Sequence, residues 1–111
     1  MKLDLRTEDL KEANGKKLYV AGEIDAYTAP QLKEALSQLT SRDQGITVVD
    51  LEGVDYIDST GLGIFVGALK DTHSHEGQFK IVSLNSRVKR LFSITGLDEV
   101  MDIDEKEEAN Q

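Results

Sequence analysis

The sequence predicts an α/β fold in which a mixed sheet of four or five strands carries three or four helices, mainly on one face. An N-terminal antiparallel hairpin comes first, and strand-like and helix-like segments then alternate, which is typical of parallel strands joined by right-handed helical crossovers. The 111 residues contain no repeat and no internal linker, so we expect one domain with a core of ordinary size.

The opening hairpin is predicted from alternation and from its turn. Apolar residues alternate with charged ones at positions 3–6, and Leu18 and Val20 repeat the alternation. Asn14 and Gly15, which lie between these segments, are the strongest short-range signal for a hairpin turn. The second strand should end within residues 21–25.

The first helix has a clear beginning. Thr28 is predicted as its N-cap, Pro30 lies in its first turn, and Gln31 stands where it would complete a capping box. An apolar stripe at helical spacing follows, formed by Leu32, Leu36 and Leu39.

The middle of the chain predicts a strand followed by a largely buried helix. Residues 46–51 are β-branched and nearly all apolar, so we expect a strand that is covered on both faces. A helix from about Ser59 to His73 follows, and Gly77 should end it. We interpret the glycines of this helix as sites of close helix–sheet packing: Gly61, Gly63 and Gly67.

The last third predicts one more strand, one more helix and an edge strand. Residues 78–83 form the strand, Ser86 caps the helix, and Gly96 closes it. Residues 100–103 add a short edge strand. We therefore place the domain at residues 1–103 and interpret residues 104–111 as an acidic, flexible tail.

Composition and charge exclude several classes of function. A net charge of −8 repels nucleic acid phosphates and anionic lipid, so neither a nucleic acid nor a membrane is expected as a partner. The absence of cysteine excludes a disulfide framework. The N-terminus lacks the apolar run of a signal peptide, so we expect a cytoplasmic protein. With no large exposed apolar stripe evident, it should be a monomer when free.

The most informative residues lie where an extended segment becomes the second helix. Asp58 can cap this helix, and Ser59 and Thr60 follow it. A phosphate attached to Ser59 would lie at a helix N-terminus, a position that favours negative charge. From the residues alone, a serine that merely caps the helix is an equally open interpretation.

Sites for catalysis, nucleotides or metals fit the residues poorly. Residues 61–67 approach a dinucleotide fingerprint, but Val66 occupies its last position. Ser59 lacks the glycine two residues earlier that a nucleophile elbow requires, and His73 and His75 lie more than ten residues along the helix. No further histidine or cysteine completes a metal site. We therefore expect no enzyme activity, no cofactor and no metal.

Three segments together resemble a known family. They are Gly22–Pro30, Asp58–Gly63 and Arg90–Leu97. In this order and spacing they resemble the bacterial anti-sigma factor antagonists of the STAS domain superfamily. The residues at 27–30 and 64–67 are most similar to the branch that controls the general-stress sigma factor.

This resemblance implies a partner-switching module. The unphosphorylated protein would bind an anti-sigma factor that is also a serine kinase, and this kinase would use ATP to phosphorylate Ser59. A PP2C-type serine phosphatase would reverse the modification. The partner-binding residues that the resemblance implies are Asp25, Asp58, Ser59, Thr60, Gly61 and Gly63. A second interpretation is a STAS scaffold subunit of a sensory or transport-associated assembly.

Overall fold

The computed structural model describes residues 2–104, which form five strands, three α-helices and one short 3-10 helix. The elements follow one another as β1 (Leu3–Asp9), β2 (Gly15–Ile24), α1 (Ala29–Thr40), β3 (Ile46–Ile57), α2 (Ser59–Ser74), β4 (Gln78–Val82), α3 (Ser86–Ile94), the 3-10 helix (Leu97–Glu99) and β5 (Asp102–Asp104). The predicted tail lies outside the described residues except for Asp104, which belongs to β5.

The sheet confirms the predicted α/β architecture. Its strand order is β1-β2-β3-β4-β5, with β1 and β2 antiparallel and every later pair parallel. Each crossover steps in the same direction, so right-handed connections place α1, α2 and α3 on one face of the sheet. On that face α1 packs against α2, and the rings of Phe65 and Phe92 join α2 to α3 at 6.0 Å between centroids.

The core lies between this face of the sheet and the helices. Its most deeply buried apolar side chains are Leu18, Val20, Ile24, Leu32, Leu36, Val49, Leu51, Val54, Phe65, Ile81, Val88 and Phe92. The opposite face of the sheet carries polar side chains. There Lys17 Nζ lies 3.6 Å from Asp50 Oδ2, and both side chains are almost fully buried.

The predicted burial of residues 46–51 is confirmed, since each of them is buried or half-buried, although helices cover only one face of this strand. β3 is longer than predicted, and it reaches Ile57 because its pairing with β2 shifts register twice, first after Asp50 and again after Val54. The Asp50 carboxylate accepts a hydrogen bond from Glu52 N at 2.9 Å at the first shift. Such bulges let a strand continue through residues whose side chains do not alternate regularly.

The predicted caps of two helices need correction. Thr28 is the N-cap residue of α1, as predicted, but its side chain makes no capping bond, and Gln31 Nε2 donates to the Leu3 carbonyl at 3.3 Å. The predicted capping box is therefore wrong. The N-cap of α3 is Asn85 and not Ser86, since Asn85 Oδ1 accepts from Val88 N at 2.8 Å.

The predicted end of α3 is confirmed, whereas the end of α2 has a different cause from the one predicted. Gly96 follows α3 with a left-handed φ of 78°, as predicted for a residue that closes a helix. After α2, the left-handed residue is Glu76, with a φ of 58°. Gly77 is needed for another reason, because a Cβ there would lie 2.5 Å from the carbonyl oxygen of Gly45.

Candidate docking and phosphorylation site

The junction between β3 and α2 presents Ser59 at a capped helix N-terminus. Asp58 is extended, with φ −114° and ψ −174°, and its Oδ1 accepts from Thr60 N at 3.0 Å. Its own N–H donates to the Ile24 carbonyl at 3.2 Å, which ties the junction to the end of β2. The prediction that Asp58 caps this helix is confirmed.

The Ser59 side chain does not contribute a hydrogen bond to the described part of the fold. The residue is exposed, and its hydroxyl makes no hydrogen bond with any other residue in the described range 2–104. Because Asp58 supplies the cap, the interpretation of Ser59 as the capping serine does not hold. An approaching enzyme would therefore meet this hydroxyl without first breaking an internal contact.

Ser59 lies on the edge of the sheet formed by the carboxyl ends of β2, β3 and β4, here called the carboxyl rim. Three acidic side chains belong to the part of the rim nearest to Ser59, namely Glu23, Asp55 and Asp58. Glu23 Oε1 is buried and has no hydrogen-bond partner among residues 2–104. The rim is therefore acidic around the exposed Ser59 hydroxyl.

Asp25, which the resemblance assigns to partner binding, is buried at the rim. Its Oδ1 accepts hydrogen bonds from Tyr27 N at 2.9 Å and from Thr28 N at 3.1 Å. The Thr28 hydroxyl accepts from Asp25 N at 3.0 Å and donates to the Glu23 carbonyl at 2.8 Å. Asp25 thus holds the β2–α1 loop in one conformation, and that loop presents Tyr27 with 87% of its surface exposed.

Replacing Asp25 should test this positioning role. We expect Asp25→Ala to lower the free energy of unfolding by about 1–3 kcal/mol, because one buried and one part-buried backbone N–H group lose their acceptor. Asp25→Asn, whose side-chain oxygen can still accept both bonds, should retain most of that stability. Urea titrations followed by circular dichroism give both values, and an unchanged midpoint for Asp25→Ala would contradict the assigned role.

The glycines of α2 divide into two kinds. A Cβ on Gly61 would lie 2.5 Å from Ile24 Cγ2 and 2.8 Å from Ile57 Cγ1, both in the core. A Cβ on Gly63 or Gly67 would meet nothing within 4 Å. The interpretation as close helix–sheet packing is therefore confirmed for Gly61 and wrong for the other two.

A groove between α1 and α2 extends from the rim. Thr60 and Gly63 lie at its rim end, and Leu36, Ile64 and Ala68 supply apolar walls. The groove encloses about 450 Å³. It is a concave surface that begins beside Ser59.

The histidines lie away from this site. His73 is in the last turn of α2 and His75 follows the helix, so at 1.5 Å per residue they are roughly 20 Å from Ser59. His75 Nδ1 lies 2.8 Å from the Asp71 carbonyl oxygen. Within residues 2–104, no three His, Asp or Glu side chains are grouped as metal ligands. None of the helices described there is both long and apolar enough to cross a membrane.

Comparison with known proteins decides the family. Residues 9–110 match the STAS domain. This chain belongs to the STAS domain family. The membership agrees with the fold and with the three segments that carried the resemblance.

Curated relatives of this STAS protein share one description. An anti-sigma-B factor antagonist of Listeria monocytogenes is 46% identical over 86 residues, which are 78% of this chain and 75% of the relative. An anti-sigma-B factor antagonist of Staphylococcus aureus is 38% identical over 103 residues, covering 93% and 95% of the two chains. Both relatives are described as antagonists and not as enzymes.

A solved structure supports the same relationship. The crystal structure of an anti-sigma factor antagonist from Mycobacterium paratuberculosis superimposes with a TM-score of 0.81 at 28% identity. The match covers 93% of this chain and 86% of the other.

Sequence reasoning missed the burial of Asp25. The signal was present in the spacing of Asp25 and Thr28, because aspartate and threonine side chains commonly bond to backbone groups two or three residues away. That local bonding engages Oδ1 of the carboxylate to which the resemblance assigns partner binding.

Proposed function

We propose that this protein is a cytoplasmic anti-sigma factor antagonist. In its unphosphorylated, monomeric form it binds an anti-sigma factor, which releases the sigma factor for stress-response transcription. The observation that carries the proposal is the exposed and unbonded Ser59 hydroxyl at a capped helix N-terminus, in a chain whose relatives are named anti-sigma-B factor antagonists.

Phosphorylation of Ser59 switches the interaction off. The anti-sigma factor is itself the serine kinase, so docking presents Ser59 to the ATP that it holds. A PP2C-type serine phosphatase removes the phosphate and restores binding. The accessibility of Ser59 supports both reactions, since neither enzyme has to open the fold to reach the hydroxyl.

Docking uses the start of α2 and the loop beside it. Ser59, Thr60 and Gly63 are exposed and belong to the contact surface, while Asp58 shapes it as the helix cap. Gly61 acts indirectly, because it lets the first turn of α2 pack closely on Ile24 and Ile57. Asp25 contributes by holding the β2–α1 loop at the same rim.

Mapping the phosphate after incubation with the cognate anti-sigma factor kinase and ATP tests this proposal. We expect one phosphate, on Ser59, and none on Ser59→Ala. The Ser59→Ala protein should still bind the kinase with an affinity within about threefold of wild type, since the hydroxyl makes no internal contact. Thr60→Val, which removes the neighbouring hydroxyl, is the matched control and should still accept one phosphate, on Ser59.

Two results would contradict the proposal. Phosphate on Thr60 of the Ser59→Ala protein would move the phosphoacceptor by one residue. A wild-type protein that neither binds the kinase nor accepts phosphate would exclude the switch.

A further inference from the structure

The helix α3 carries an unusual concentration of positive charge. The chain has a net charge of −8, but within Ser86–Ile94 there are three basic residues and no acidic one. Arg87, Arg90 and Ile94 follow one another at i, i+3 and i+7, so they share a face of the helix. We call these three residues the α3 stripe.

The α3 stripe faces solvent. Val88 and Phe92 are buried against the core and hold the opposite side of the helix. Arg87 and Arg90 are exposed, and 69% of the Ile94 surface is accessible. The stripe therefore combines two positive charges with one apolar side chain on the same accessible face.

Nothing within residues 2–104 explains these charges. Neither Arg87 nor Arg90 forms a hydrogen bond or an ion pair with any residue in that range. The first turn of α3 contains Arg87 and no acidic residue, although helix N-termini favour negative charge. Arg87 is thus placed where it slightly destabilises its own helix, which indicates that its use lies outside the fold.

The α3 stripe begins at the same rim as Ser59. β3 and β4 are parallel, so α2 and α3 start at the same edge of the sheet. Asn85, the N-cap of α3, donates from Nδ2 to the Val54 carbonyl at 3.1 Å, four residues before Asp58. A partner large enough to cover Ser59 can therefore extend over Arg87 and Arg90.

We propose that acidic side chains of the anti-sigma factor kinase, beside an apolar one, dock on the α3 stripe while the kinase engages Ser59. This inference rests on the function proposed above. The two ends of the docking surface carry opposite charge, since the rim is acidic near Asp58 and basic at Arg87 and Arg90. A partner with the complementary arrangement binds in one orientation only, and its association is accelerated.

Charge reversal on the α3 stripe tests the proposal. Arg90→Glu and the control Lys11→Glu each remove one positive and add one negative charge, so both change the net charge from −8 to −10. Lys11 is exposed in the β1–β2 loop, at the opposite edge of the sheet from Ser59. The cognate kinase is the probe, and stopped-flow fluorescence gives the association rate at two salt concentrations.

We expect Arg90→Glu to slow association about tenfold at low salt, and Lys11→Glu less than about twofold. The difference should shrink at high salt, where surface charges are screened. Arg87→Glu should slow association as well, but its melting temperature should equal or exceed that of wild type, because an acid then occupies the first turn of α3. A loss of binding together with raised stability excludes misfolding as the cause.

The outcomes separate this proposal from the function on which it rests. If wild type is phosphorylated on Ser59 and Arg90→Glu associates equally fast, the α3 stripe is not part of the interface and only this proposal fails. Equal slowing by Lys11→Glu overturns it too, since net charge would then suffice. Self-association of wild type that Arg90→Glu abolishes in sedimentation would assign the stripe to a second copy of the chain. If the kinase neither binds nor phosphorylates wild type, both proposals fail.

Discussion

Negative charge at Ser59 is expected to abolish docking while the domain stays folded. We expect phosphorylation of Ser59, or Ser59→Asp, to weaken binding of the kinase by about 100-fold or more, which corresponds to about 2.8 kcal/mol. The reason is desolvation: a phosphoserine adds −1.5 to −2 charges, and docking would remove water from this dianion beside Glu23, Asp55 and Asp58, which offer it no favourable partner. Calorimetric titration of the kinase with each form measures the loss.

The matched control is Ser59→Asn, which has nearly the shape of Ser59→Asp but no charge. It should bind at least tenfold more tightly than Ser59→Asp. Equal weakening by both variants would contradict the charge mechanism and point to a steric one. Tight binding by Ser59→Asp would contradict the switch itself.

The same charge should not harm the isolated domain. In the free protein, a negative group on Ser59 lies in the first turn of α2, where the helix dipole stabilises it by about 0.3–1 kcal/mol. The melting temperature of the phosphoprotein should therefore be close to that of the unmodified form. A melting temperature lowered by ten degrees or more would show that phosphorylation acts by unfolding and would overturn this mechanism.

The features that sequence predicted well are those that depend on neighbours along the chain. The start of α2 is one, since Asp58 lies two residues before the N–H group that it accepts. Gly96 is another, because the closing of α3 requires only its own left-handed conformation. The order of strands followed from alternation and the handedness of crossovers.

Several features that the sequence did not predict depend on tertiary contacts. Gln31 has the right spacing for a capping box, yet its amide bonds to the Leu3 carbonyl of a neighbouring strand. Lys17 and Asp50 are 33 positions apart and become paired only because β2 and β3 are adjacent. Local signals compete with such contacts, and in both cases the tertiary contact determined the outcome.

The candidate site also contains features that the sequence could predict and features that it could not. The exposed position of Ser59 follows from its place after the capping residue, which sequence could indicate. The difference between Gly61 and Gly63 could not be foreseen, because it depends on whether Ile24 and Ile57 lie beneath the helix at that residue. Because of that difference, substitutions at Gly61 should lower the stability of the domain, whereas substitutions at Gly63 should raise its stability and weaken kinase binding.

Gly61→Ala should destabilise the domain. Its new methyl group would lie 2.5 Å from Ile24 Cγ2, and Ile24 is fully buried, so neither side can move away easily. Overpacking of this kind costs about 1–3 kcal/mol. The gain in helix propensity, about 1 kcal/mol, offsets only part of it. Urea midpoints measured for Gly61→Ala and wild type determine the net effect, and an unchanged or raised midpoint would contradict the contact.

Gly63→Ala should do the reverse. A methyl group there meets no atom within 4 Å, so the helix gains about 0.5–1 kcal/mol of stability from the better helix former. Gly63 lies one turn after Ser59 on the same face of α2, and a kinase seated over Ser59 must pass close to it. Gly63→Leu, which is larger, should therefore weaken kinase binding by about tenfold or more while its melting temperature stays at or above that of wild type.

If the Gly63→Leu protein is more stable but binds the kinase poorly, the absence of a side chain at Gly63 is required for docking and not for folding. Glycine inside a helix lowers its stability, and Gly63 has no compensating contact among the described residues. Only an interaction outside the chain can then account for its use, and the groove that starts at Thr60 and Gly63 is where that interaction would lie. If Gly63→Leu instead bound the kinase as tightly as wild type, the docking surface would have to end at the first turn of α2, with Ser59 at its edge.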